Sequence, residues 1–191
     1  MTAVPDTTGL DTLYGRNTRL GRGPARTVVS MAALTALAGV LFVAGQTVFR
    51  DWEALAVGEA ARAVGFHTVL AIEGSQILLA PSSGPFWVDI TPSCSSLGPA
   101  LALALIATIM SVGSPTADRL LAGVVGVAAI VVGNLLRIGS SVLVGLLAGR
   151  VSLVLFHDWV GSTFGFAYTI GGFVLILTIL LRRRRRRQEA S

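Results

Sequence analysis

Long uncharged apolar runs, each bounded by arginine, restrict what this chain can become. Residues 27–49 carry no ionisable side chain and match the roughly twenty positions that a helix needs to cross a bilayer. Residues 97–112 form a second such run, residues 120–148 a third interrupted by Asn134 and Arg137, and residues 157–181 a fourth. A hydrophobic fraction of 53% over 191 residues, with a mean hydropathy of +0.74, is too apolar for a water-soluble domain. The expectation is an all-α membrane protein with about four transmembrane helices, forming a single membrane domain over residues 27–181.

The cations give that domain an expected orientation. All 15 basic residues are arginine, and residues 182–187 are six of them in series, so the net charge of +5 marks flanks and does not spread over a nucleic-acid-binding face. Arg16, Arg19, Arg22 and Arg26 precede the first run, Arg119 lies between the second and third, and the six-arginine block closes the fourth. Basic flanks stay in the cytoplasm. Four crossings with both termini cytoplasmic satisfy every cluster, leaving residues 1–26 as a flexible N-terminus and residues 182–191 as a basic tail. The tail reads either as a stop signal or as a contact for anionic membrane lipid. Val43-Ala44-Gly45 imitates a signal-peptide cleavage site, but the run around it is long for one, and an uncleaved anchor is expected.

Residues 50–93 carry scattered charges and belong outside the membrane, as a small extracytoplasmic cap. Residues 51–64 read as a short amphipathic helix whose apolar side is Trp52, Leu55, Ala56 and Val57. Beyond Gly65, residues 69–72 and 77–79 flank Gly74-Ser75, which suits a two-residue hairpin turn, and residues 86–90 predict a third strand. The third run is too long for one perpendicular crossing, so residues 138–150 are either a re-entrant segment or a continuation of the helix. Arg119 and Arg137 would then stand about 27 Å apart, near the thickness of the hydrocarbon core.

This topology gathers three chemically capable residues at one depth. Cys94 stands at the outer start of the second crossing, Arg137 near the outer end of the third, and His157 at the outer start of the fourth. A lone cysteine in an apolar protein is commonly a small buried hydrophobe. An arginine inside a membrane helix costs about 2.5 to 3.5 kcal/mol and faces a partner or a wet cavity, unless it snorkels to the headgroups. Asn134 shares the helix face of Arg137 and can support the same polar site. Thiol, imidazole and guanidinium together suit acyl transfer: a thiolate attacks a carbonyl, a histidine handles the protons, and an arginine stabilises the thiolate or the oxyanion. With one cysteine in the chain and no cluster of histidines, neither a disulfide nor a metal site is implied, and no cofactor is expected.

The runs Cys94-Ser95-Ser96-Leu97, Asn134-Leu135-Leu136-Arg137-Ile138 and His157 to Gly161 as His-x-x-x-Gly, in that order on successive segments, resemble the exosortase/archaeosortase family of membrane-embedded transpeptidases. The resemblance covers about residues 86 to 181. It implies cleavage of C-terminal sorting signals on membrane-anchored surface proteins and transfer of the new carboxyl end to a lipid or glycan acceptor. It also implies Cys94 as nucleophile, Arg137 as stabiliser of the oxyanion or thiolate, and His157 as general acid and base, with Asn134 supporting. The chain has Ser96 where the family usually has glycine, and four expected crossings where many members have about eight. Two other readings use the same residues: a noncatalytic assembly protein in which Arg137 and His157 bind an anionic lipid or glycan, and a small transporter subunit with Arg137 on a polar path.

Overall fold

A computed structural model describes residues 24–110 and 115–189. The expected flexible N-terminus falls almost wholly outside them, and so do the end of the second run and residues 113–114 of the inner turn. The chain divides into two units, one up to Ala36 and one from Leu37 onward. It is mostly helical, in the order α1 (Pro24–Ala63), β1 (Val69–Glu73), β2 (Gln76–Leu79), β3 (Phe86–Asp89), α2 (Leu97–Met110), α3 (Thr116–Phe156), a π-helical turn (His157–Gly161) and α4 (Ser162–Glu189). Two helical stretches, Val28–Ala63 and Thr116–Arg183, are long and apolar enough to cross a membrane, and Leu97–Met110 is a shorter apolar helix. Large apolar side chains stand exposed along them, among them Leu147 at 72%, Val151 at 74% and Phe166 at 73%. Such faces suit lipid better than water.

The expected amphipathic helix is not a separate element. Nothing in Arg50-Asp51-Trp52-Glu53 breaks a helix, so α1 runs through it to Ala63. It stops in a Schellman arrangement: Phe66 N–H donates to Ala61 O, Gly65 N–H donates to Arg62 O, and Gly65 takes a φ of 97°. Trp52 and Leu55 are exposed, whereas Glu53, Ala54 and Val57 are buried.

The hairpin forms as its turn sequence predicts, with Glu73 paired to Gln76 and Ile72 to Ile77. The third strand joins antiparallel, Val88 opposite Ile77 and Phe86 opposite Leu79, giving the order β1-β2-β3. One face of this sheet buries Val69, Ile77 and Leu79 against Ala54 and Val57 of α1 and against Ile138, Val142 and Leu153. A second core of Ala100, Leu103, Ala107, Ala122, Ile130 and Ile176 joins α2, α3 and α4.

The third run continues as helix up to Ala148, so of the two expectations for residues 138–150 the helical continuation is the one seen over residues 138–148. At Gly149 the backbone leaves helical geometry, with φ 81° and ψ −179°. The chain reverses there: Gly145 lies against Leu153, Gly133 against Tyr168 and Gly126 against Ile176, and Arg183 pairs with Asp118. A left-handed φ favours glycine, and a Cβ at 149 would stand 2.9 Å from Ser83 Oγ. The returning helix therefore starts at Arg150, seven residues before the His157 expected to open it. Its π-helical turn comes at His157.

Candidate active site

The site is built from the chain that leaves the sheet and from the two limbs of the α3 reversal. After β3, Cys94 N–H donates to Thr91 O, closing a turn that presents the thiol just before α2. Sγ lies 3.2 Å from His157 Nε2 and 3.1 Å from Thr91 Oγ1. Arg137 Nη2 stands 3.4 Å from the same Nε2. Cys94, Arg137 and His157 thus meet, from a loop, the ascending limb and the π-helical turn. Asn134 sits one turn before Arg137, and its Nδ2 donates to Cys94 O at 2.8 Å.

A guanidinium only donates, so its bond to His157 requires a neutral ring with Nε2 as acceptor. Protonating Nε2 removes that bond and aims an N–H at Sγ. The imidazole is thus placed to hold a proton on the nitrogen that faces the sulfur. Burial raises the Cys94 pKa. The hydrogen bonds with His157 and Thr91 and the charges of His157 and Arg137 outweigh it, and the thiol comes down from its ordinary 9.0 to about 7.

Arg137 is 9% exposed and forms no ion pair among the described residues. Its Nε is buried without a hydrogen-bond partner among them, so protein acceptors do not saturate the guanidinium. A Cβ on Gly161 would stand 3.1 Å from that Nε. The glycine of His-x-x-x-Gly therefore gives Arg137 room beside the histidine. No cluster of three or more possible metal-ligating residues occurs among the described residues.

Sequence reasoning missed Glu53, which it left without a role in the expected amphipathic helix of residues 51–64. The side chain is fully buried, and its Oε1 accepts from Ser96 N–H at 3.0 Å, Ser96 Oγ at 2.7 Å and Asn134 Nδ2 at 2.9 Å. Tyr168 Oη donates to Asn134 Oδ1 at 3.0 Å, so four segments are tied behind the cysteine. Ser96, the departure from the resembling family, supplies two of these donors. The one signal in the sequence was a carboxyl, with Asp51, just beyond the charge-free run.

Replacing Glu53 with alanine strands three buried donors and is expected to cost about 3 kcal/mol. Glutamine, which keeps an acceptor oxygen, should cost less. Thermal unfolding of the purified protein in detergent reads both, and an alanine variant that melts like the parent refutes the argument. No family model, curated protein or solved structure matches the chain.

Proposed function

We propose that the chain is a multi-pass membrane cysteine transpeptidase of the exosortase/archaeosortase type. It cleaves C-terminal sorting signals of surface proteins through a thioester and passes the acyl group to a surface acceptor. Crossings over residues 27–49, 97–112, 120–148 and 157–181 put both termini in the cytoplasm, where the arginine clusters belong, and the site at the extracytoplasmic face. The returning helix begins earlier, at Arg150. The observation that carries the reading is the Sγ···Nε2 approach of 3.2 Å with Arg137 against the same nitrogen. A cysteine that merely fills space needs neither partner.

In this mechanism the Cys94 thiolate attacks the scissile carbonyl carbon, forming a C–S bond and a tetrahedral oxyanion that Arg137 stabilises. As the C–N bond breaks, His157, protonated at Nε2, gives that proton to the leaving amine, which departs with the helix and basic tail. The product is a thioester on Cys94 and a neutral imidazole. An acceptor hydroxyl or water then loses its proton to His157 and attacks the thioester, and the thiolate leaves to restore the starting state.

Trapping the thioester tests this. The protein is co-expressed with a reporter ending in a short motif, an apolar helix and an arginine tail, and is recovered under acid. The expected result is reporter fragment attached at Cys94 and released by neutral hydroxylamine. Processing of the reporter with no adduct on Cys94 under any quench would refute the acyl-enzyme.

A further inference from the structure

The strand that leads into Cys94 has an open side. Among the described residues the order β1-β2-β3 gives β3 a neighbour on one edge only. Ile90 N–H donates to Ser75 O, and antiparallel pairing alternates, so Phe86, Val88 and Ile90 turn their backbone groups toward β2. Trp87 and Asp89 turn theirs outward. Both residues are exposed, and the backbone bonds formed outside strands and helices by the described residues include none from either.

This open edge borders the reactive pair. A cavity of about 80 Å³ is lined by Val88, Asp89 and Ile90, by Cys94 and His157, and by side chains of α3 that include Val142 and Ser141. Side chains of successive strand residues point to opposite faces. Three in a row therefore reach one cavity only where it abuts the strand's backbone. Its small volume and aliphatic wall suit a short apolar side chain and leave no room for an aromatic one.

We propose that the peptide to be cut binds in extended form as a fourth strand on the outer edge of β3, with a short apolar side chain beside the scissile carbonyl seated in this cavity. The inference rests on Cys94 being the acylated nucleophile. Main-chain bonds to Trp87 and Asp89 would supply affinity with little dependence on sequence, and the cavity would supply selectivity, as in other strand-addition sites. The turn from Thr91 to Cys94 would bring the sulfur back to the carbonyl of the added strand.

The test uses the full chain in detergent and a reagent that needs no natural substrate. Acetyl-trialanyl chloromethyl ketone alkylates a thiolate, which forms a C–S bond as chloride leaves. Its rate at Cys94 is compared with acetyl-alanyl chloromethyl ketone and with two trialanyl analogues, N-methylated at the middle or the outermost alanine. All four carry the same reacting group. Strand addition predicts that the trialanyl reagent reacts about tenfold faster than the single-alanine one. It also predicts that one N-methylation removes about that factor while the other, on an amide facing away, changes the rate by about twofold at most. Equal rates for the trialanyl reagent and both analogues, or equal slowing by both methylations, overturn the strand addition. A Cys94 inert to all four overturns the nucleophile reading and this inference with it.

Discussion

Exchange of Cys94 for alanine is expected to abolish processing of a sorting-signal reporter, with a loss of at least about 10³-fold that reaches the background of the assay. No replacement nucleophile stands ready. Thr91 Oγ1 lies 3.1 Å from Sγ and shares its other contact with Ser93, while Ser141 Oγ donates to Arg137 O. None of these hydroxyls has an imidazole within hydrogen-bond reach among the described residues, and an unassisted hydroxyl is a poor nucleophile at neutral pH. Serine at position 94 should do little better, because the site stabilises a thiolate already half formed near pH 7. Gel separation of precursor and product reads the outcome. Processing that continues unchanged in the alanine variant removes the catalytic reading and leaves the noncatalytic assembly protein in its place.

Exchange of His157 for alanine should have two effects of different origin. The first is on ionisation. Burial raises the Cys94 pKa, while the hydrogen bond and the charge of His157 both lower it, so removing the imidazole moves the thiol up from about 7. A lowered pKa means that thiolate is already present above about pH 7 in the parent, and in the variant it appears only at higher pH. At pH 7 the ionised fraction falls below the roughly one half of the parent. The chain has a single cysteine, so the pH dependence of iodoacetamide alkylation reads this midpoint directly. The second effect is on the leaving amine, which loses its proton donor, and processing should fall by about 10² to 10⁴-fold. An alkylation midpoint that stays near pH 7 in the variant breaks the proposed pair.

Particular residues show how far local reasoning reached. The β-hairpin was legible because Gly74-Ser75 lies between two apolar runs and because pairing across a two-residue turn involves near neighbours. The third strand was legible from its own run of aromatic and branched residues, Phe86 to Ile90. Cys94, Arg137 and His157 stood out because the expected topology set a thiol, a guanidinium and an imidazole at one depth, and because an arginine inside an apolar run is costly. The continuity of α1 was misread: charges at Arg50 to Glu53 were taken as the end of a helix, but charge does not break a helix, and the stop lies at Gly65. The start of the last helix was misread too. Val151, Leu153, Val154 and Leu155 continue the apolar pattern, so only the backbone at Gly149 reveals the reversal.

From the sequence alone came the helical character, the runs suited to a membrane, the hairpin, and the order of thiol, guanidinium and imidazole along the chain. These follow from side-chain hydrophobicity and turn chemistry acting over a few residues. The tertiary structure decided which side of α1 is buried, that Glu53 ties Ser96 and Asn134 across 43 and 81 residues, and that a reversal at Gly149 sets Arg137 beside His157. Among the described residues it also left one edge of β3 unpaired, on a strand that lines a cavity with the sulfur. Burial of a polar side chain depends on donors and acceptors brought from distant segments, and no local pattern records which segments will meet.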